Sequence, residues 1–189
     1  MSKIIEIYTD GSAGPTNPGP GGFGVIVIQP NKEKDKVIAT YSENHTETTN
    51  NRMEMMAILY AYENYGVNIY SNEFLIENPK VYSDSSYAVN TFNEWIFGWE
   101  RRGWKKANNQ TPENMDLLLK FMDLYNSGLR IDLIKVKGHA GNKYNEMADL
   151  LAKGKVKYVC QVKGYDVEFI NNNFEKIEVR YDDKEEINE

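Results

Sequence analysis

The sequence predicts an α/β fold: a five-stranded mixed sheet, three antiparallel strands followed by parallel ones, with helices on both faces. Three observations lead there. Strand-like segments come first, at about 3–9, 22–29 and 36–43, joined by polar links. From Asn51 the apolar spacing becomes helical, through Met53, Met56, Ala57, Tyr60 and Ala61. Strand and helix patterns then alternate, which implies crossovers and parallel pairing.

Each element has its own signal. Half of the six prolines and six of the fourteen glycines fall between Gly11 and Gly24, so a turn-rich loop separates the first two strands. The first helix starts with Asn51 as cap and Glu54 three residues on, and ends near Gly66. A long connection, 67–78, leads to a short strand, Lys80-Val-Tyr-Ser83. Asp84 caps a second helix running towards Asn93, followed by a Trp-rich basic segment at 95–107. Pro112 near the N1 position opens a third helix at about 113–125. A strand at 130–136, the loop Lys137-Gly-His-Ala-Gly141 and a helix from Asn142 to Lys157 complete the order.

Composition narrows the class. Of the 189 residues 41% are hydrophobic and 26% charged, enough for a packed core and against wholesale disorder. No apolar run nears the ~20 residues of a membrane helix. The N-terminal segment reads as a strand, with no leader pattern, and one cysteine excludes an internal disulfide framework and a Cys-based zinc site. A reducing cytoplasm is the expected compartment, and a monomer the expected state. The net charge is −6, but residues 158–189 hold four Lys/Arg against nine Asp/Glu, so the body before them is nearly neutral. Two domains follow: 1–157, carrying the chemistry, and an acidic extension, 158–189.

Four carboxylates stand out. Asp10 closes the first strand, Glu54 lies in the first helix, Asp84 ends a later strand, and Asp149 sits in the last helix. Each alone has an ordinary explanation as turn, cap or solvated face. If the two strands are parallel neighbours, Asp10 and Asp84 share one sheet edge, where open α/β sheets place their sites. Packed carboxylates repel and call for cations, and all-oxygen ligands select Mg²⁺ or Mn²⁺ over zinc. Two such ions suit phosphoryl chemistry.

These residues lie in seven blocks: Tyr8-Thr-Asp10-Gly-Ser, Asn17-Pro-Gly-Pro-Gly-Gly-Phe-Gly24, Thr48-Thr-Asn-Asn-Arg-Met-Glu54, Ser83-Asp84-Ser-Ser-Tyr87, the stretch Trp95 to Lys105, Val136-Lys-Gly-His139-Ala-Gly and Asn145-Glu-Met-Ala-Asp149. In kind and order they resemble type 1 ribonuclease H over roughly residues 4–155. The resemblance implies a ribonuclease H-like fold and endonucleolytic hydrolysis of the RNA strand of RNA/DNA hybrids, leaving 3′-hydroxyl and 5′-phosphate ends. It implies that Asp10, Glu54, Asp84 and Asp149 hold two Mg²⁺ ions, with Mn²⁺ an alternative. His139 matches a loop histidine that handles protons and product release, and Glu146 an acidic position close behind the metal ligands. His45 is read as structural. A catalytically silent hybrid-binding or partner-binding module is the alternative, and loss of a carboxylate would mark it; all four are present.

Selecting RNA requires reading a 2′-hydroxyl. Asn17 and Asn50 match minor-groove contacts, and Thr49 and Asn51 a grip on a DNA-strand phosphate. Ser86 stands where many relatives carry Gln, and the 10–17 loop is a residue longer than usual. Trp99, Trp104, Arg101, Arg102, Lys105 and Lys106 resemble a basic protrusion that tracks the DNA backbone. There Trp95 and Trp104 are expected to pack and Trp99 to face substrate. In the extension, apolar residues alternate with charge on either side of Asn171-Asn-Asn173. That predicts a β-hairpin over 164–181, with a solvated, disordered end at 182–189.

Overall fold

Alternation along the central strands decides which side of the sheet each helix covers. In the computed structural model, β1 spans Glu6–Ala13 and β2 Gly19–Gln29. Ile7, Val25 and Val27 point to one face and pack on Met53, Ala57 and Ala61 of α1, Asn50–Tyr65. Tyr8, Ile26 and Ile28 point to the other and pack on Tyr144, Met147, Ala148 and Leu151 of α5, Lys143–Ala152. The period-two pattern thus builds two apolar layers on one sheet. The structure describes residues 4–33, 35–71, 77–138 and 141–154, and the backbone of 158–161, 167–170 and 176–177.

β3 spans Lys36–Thr48, β4 Val67–Asn68, β5 Lys80–Ser83, β6 Leu129–Arg130 and β7 Asp132–Lys135. The main sheet has the order β3-β2-β1-β5-β7. β1, β2 and β3 are antiparallel neighbours, and β5 runs parallel to both β1 and β7. This is the expected five-stranded mixed sheet with helices on both faces. β4 and β6 form a separate antiparallel pair that ties the long 67–78 connection to the end of the third helical segment.

A third apolar cluster lies beyond α1. It joins Met55, Ile58, Leu59 and Tyr62 to Phe92, Ile96 and Trp99 and to Leu118, Phe121 and Met122 of α4, Met115–Asn126. The middle helix is longer than its sequence pattern suggests. α2, Ser86–Asn90, continues through a π-helical turn, Thr91–Trp95, into α3, Ile96–Arg101. The Trp-rich segment is therefore mostly helix.

Caps differ from the sequence reading in three places. Thr49, not Asn51, caps α1, its Oγ1 accepting from the Arg52 amide at 3.2 Å. Ser85, not Asp84, caps α2, accepting from the Ala88 amide. Hydroxyls take the capping role one or two residues earlier or later, which leaves Asp84 free for other partners. Pro112 lies outside α4, whose cap is Asn114 in the left-handed region at φ 55°. Arg52 spans to that turn, donating to Asn114 and bidentately to Asp116 at 3.0 and 2.6 Å.

In the extension, β8 (Tyr158–Gln161), β9 (Val167–Ile170) and β10 (Lys176–Ile177) form an antiparallel sheet with β9 central. The β9–β10 hairpin falls within the expected 164–181. β8 is an added strand, too short for its alternation to show in the sequence. Residues 182–189 lie outside the described residues.

Candidate active site

Register brings the carboxylates together. Thr9 of β1 pairs with Ser83 of β5 in parallel, so the next residues, Asp10 and Asp84, stand side by side where β5 ends. Asp10 does not close its strand: β1 runs on to Ala13 against β2, with Asp10 paired to Gly24. The continued pairing fixes the Asp10 backbone more firmly than a turn would.

Glu54 arrives through a close backbone approach. A Cβ at Gly11 would overlap the Glu54 amide nitrogen and the Met53 carbonyl carbon. Only glycine lets the first turn of α1 lie directly on β1. Asp10, Glu54 and Asp84 each then offer a carboxylate oxygen within 4.8 Å of the others. Asp10 is 6% and Glu54 9% exposed.

This placement is electrostatically costly. Burial, then the charges of Asp84 and Asp149, pushes the Asp10 carboxyl up to about 8. Burial, then Asp10 and Asp84, raises Glu54 well above the usual carboxylate range. The Gly11 amide donates to Asp10 Oδ1 at 2.8 Å, which offsets little of this. Glu54 Oε2 is buried with no hydrogen-bond partner among the described residues. Crowded carboxylates, one oxygen unsatisfied, form a hard-oxygen donor set that fits a divalent cation such as Mg²⁺ or Mn²⁺.

Asp149 comes from the opposite layer, on α5, near enough to Asp10 to raise its pKa by charge and hydrogen bonding. It lies outside the tight group of three. Both its oxygens are taken by Lys153 one turn on, at 2.6 and 2.8 Å. α5 itself sits tight on the sheet, because Gly24 leaves room for the Ala148 carbonyl and Leu151. Glu146 is partly buried on the same helix. His139 lies outside the described residues. His45 Nε2 lies 2.9 Å from Glu43 Oε1 on β3.

Of the polar residues read as substrate contacts, Asn17, Thr49, Asn50 and Asn51 gather at the start of α1. The Asn50 amide donates to Asn17 Oδ1 at 3.2 Å, and Asn50 Oδ1 accepts from the Ala13 amide. These bonds dock the 14–18 loop beside Thr49, Asn50 and Asn51. Asn17, Asn50 and Asn51 are exposed. Ser86 is exposed at the first turn of α2, two residues from Asp84. Arg101 and Arg102 are exposed and Lys105 and Lys106 half-buried; Arg102 Nε and Lys105 Nζ brace this turn through the Lys105 carbonyl and Thr111.

Trp99 corrects an expectation. It is 7% exposed and belongs to the core, one helical step from Ile96 and two from Phe92. That spacing, 92–96–99, is a core stripe legible in the sequence. Trp95, expected to pack, is instead 36% exposed, its ring 6.0 Å from both Tyr87 and Trp99. Trp104 packs on the core edge with φ 62°. The sequence reading also missed Gly11, masked by its resemblance to a turn, and Asn145, whose Nδ2 donates to Asp84 Oδ2 at 3.2 Å.

Fold and site together define an α/β protein with a buried carboxylate cluster suited to hard divalent cations. Comparison with known proteins makes this specific. The family model described as RNase H matches residues 2–157. A ribonuclease H of Caldanaerobacter subterraneus subsp. tengcongensis is 38% identical over 160 residues, covering 82% of this chain and 93% of that protein. The crystal structure of LC9-RNase H1, a type 1 RNase H with the type 2 active-site motif, superposes with a TM-score of 0.64 at 27% identity, over 80% of this chain and 71% of that one. That of LC11-RNase H1 in complex with RNA/DNA hybrid gives 0.54 at 23% identity, over 78% and 93%. The chain belongs to the RNase H family, and it is an enzyme of the ribonuclease H type. No helix among the described residues is long and apolar enough to cross a membrane.

Proposed function

We propose that the chain hydrolyses the RNA strand of RNA/DNA hybrids at two divalent cations, Mg²⁺ with Mn²⁺ able to substitute, leaving 3′-hydroxyl and 5′-phosphate ends. The observation that carries this is the convergence of Asp10, Glu54 and Asp84 within 4.8 Å in a chain of this family. Bound cations would supply an activated water and charge stabilisation for the departing 3′ oxygen. The chain's own residues do the rest. Asp10, Glu54 and Asp84 would hold the cations, and Asp149 would be a further ligand if it exchanged Lys153 for an ion. Glu146 adds negative charge behind them. His139, which follows Gly138 in sequence, moves protons and helps release product.

Asn17 and Asn50 meet the minor groove, where 2′-hydroxyls mark the RNA strand. Thr49 and Asn51 grip a phosphate, and Ser86 reaches the sugar edge beside Asp84. Arg101, Arg102, Lys105 and Lys106 follow the DNA backbone, with Trp95 rather than Trp99 as the exposed ring beside them. One copy of the chain carries every group named here. Residues 1–157 form the catalytic unit in this reading, and 158–189 an appended extension of a cytoplasmic enzyme.

The test is the set Asp10→Asn, Glu54→Gln and Asp84→Asn. Each should lose cation-dependent cleavage while binding hybrid normally, since phosphate and groove contacts carry affinity. Near-wild-type turnover in Asp10→Asn would contradict the assignment.

A further inference from the structure

Asp84 is held by a residue the chemistry has not yet used. Asn145 is 2% exposed, at the third position of α5. Its Nδ2 donates to Asp84 Oδ2 at 3.2 Å, while its Oδ1 has no hydrogen-bond partner among the described residues. A buried amide with half its capacity unmet is a cost that native proteins rarely carry without a purpose. Its own position is fixed from both sides. Its backbone amide donates to Asn142 Oδ1 at 3.2 Å, and the neighbouring Tyr144 ring packs 5.4 Å from Tyr8. The same carboxylate oxygen is crowded by Gly138, where a Cβ would come within 2.6 Å of Asp84 Oδ2. Oδ2 is thus engaged from α5 and hemmed in by the loop that leads to His139.

We propose that Asn145 is a positioning residue: it locks Asp84 Oδ2 so that the other oxygen is presented to the cation, and it couples the first turn of α5 to the metal site. This rests on the carboxylates holding a divalent cation. Outer partners of ligating carboxylates typically change metal affinity by ~10–100-fold when removed.

The experiment measures Mn²⁺ binding by calorimetry, without substrate, to the wild type, Asn145→Ala, Asn145→Leu, Asp84→Asn and Asn145→Leu in the Asp84→Asn background. Leucine, near asparagine in volume, keeps α5 packed if alanine does not. Both Asn145 variants should bind Mn²⁺ ~10–100-fold more weakly, with hybrid affinity in EDTA unchanged. In the Asp84→Asn background the Asn145 effect should vanish, because the partner it acts through is gone. A folded Asn145→Leu protein with wild-type Mn²⁺ affinity would overturn the proposal, as would an equal loss in both backgrounds. A wild type that binds no Mn²⁺ would overturn the metal-site reading itself, and this proposal with it.

Discussion

Replacing Asp10 by asparagine should make the metal-free protein more stable, and more so at pH 8 than at pH 5. Asp10 ionises at its ordinary value of 3.8 in the unfolded chain and at about 8 in the folded one, because burial and the charges of Asp84 and Asp149 oppose its ionisation. Between those values the folded state holds a proton that the unfolded state has released. Stability therefore falls as pH rises through this window and levels off above pH 8. Four pKa units at 1.36 kcal/mol each cap the cost at ~5 kcal/mol. Asparagine cannot ionise and keeps the shape, so a gain of ~1–4 kcal/mol at pH 8 is expected, shrinking to under ~2 kcal/mol at pH 5. In a chain of this size each kcal/mol moves Tm by ~2–4 °C. The assay is thermal unfolding in EDTA at pH 5 and pH 8, repeated with Mg²⁺. The ion should restore stability to the wild type, since ligands of the folded state stabilise it, and do little for the variant. A variant no more stable than wild type at pH 8, or with the same gain at both pH values, would refute this reasoning.

Gly11→Ala should displace α1 from β1, costing ~1–3 kcal/mol by overpacking; because Glu54 moves with the helix, divalent-cation affinity should fall too, as calorimetry would show. Lys105→Ala with Lys106→Ala should raise the hybrid Kd and reduce the slope of log K against log salt by ~0.7–0.9 per lost phosphate contact. An unchanged slope in a salt titration would place these lysines elsewhere. His139→Ala should slow single-turnover cleavage by no more than ~10²-fold, the low end for general acid–base help, because water can stand in; a variant as inactive as Asp10→Asn would demand a more central role.

The fold was legible because its signals were local. Alternation in β2, the glycine-rich 11–24 stretch and the helical spacing after Asn51 each depend on neighbours in sequence. The carboxylates could be nominated from the sequence as two residues following strand-like runs and two within helices, but the convergence of Asp10 and Asp84 depends on the Thr9–Ser83 register, a property of pairing across 74 residues. Caps were misplaced where two capping residues stood together, as at Thr49–Asn51 and Asp84–Ser85, since the choice between them is made by the packing of the whole helix. Trp99 was misread because three tryptophans among basic residues suggested stacking, while the Phe92–Ile96–Trp99 stripe pointed inward. Asn145 opens the Asn145–Asp149 block, but nothing in the sequence links it to Asp84; its donor meets that carboxylate only through the docking of α5.

The central claim is that carboxylate-held cations cut RNA paired to DNA. Its most direct test offers the protein RNA/DNA, RNA/RNA and DNA/DNA duplexes of one sequence, each strand end-labelled, with Mg²⁺, Mn²⁺ or EDTA. The prediction is cleavage of the RNA strand of the hybrid alone, only with a cation, and with 5′-phosphate ends. Cleavage in EDTA, cutting of the DNA duplex, or an intact hybrid with both cations would contradict it.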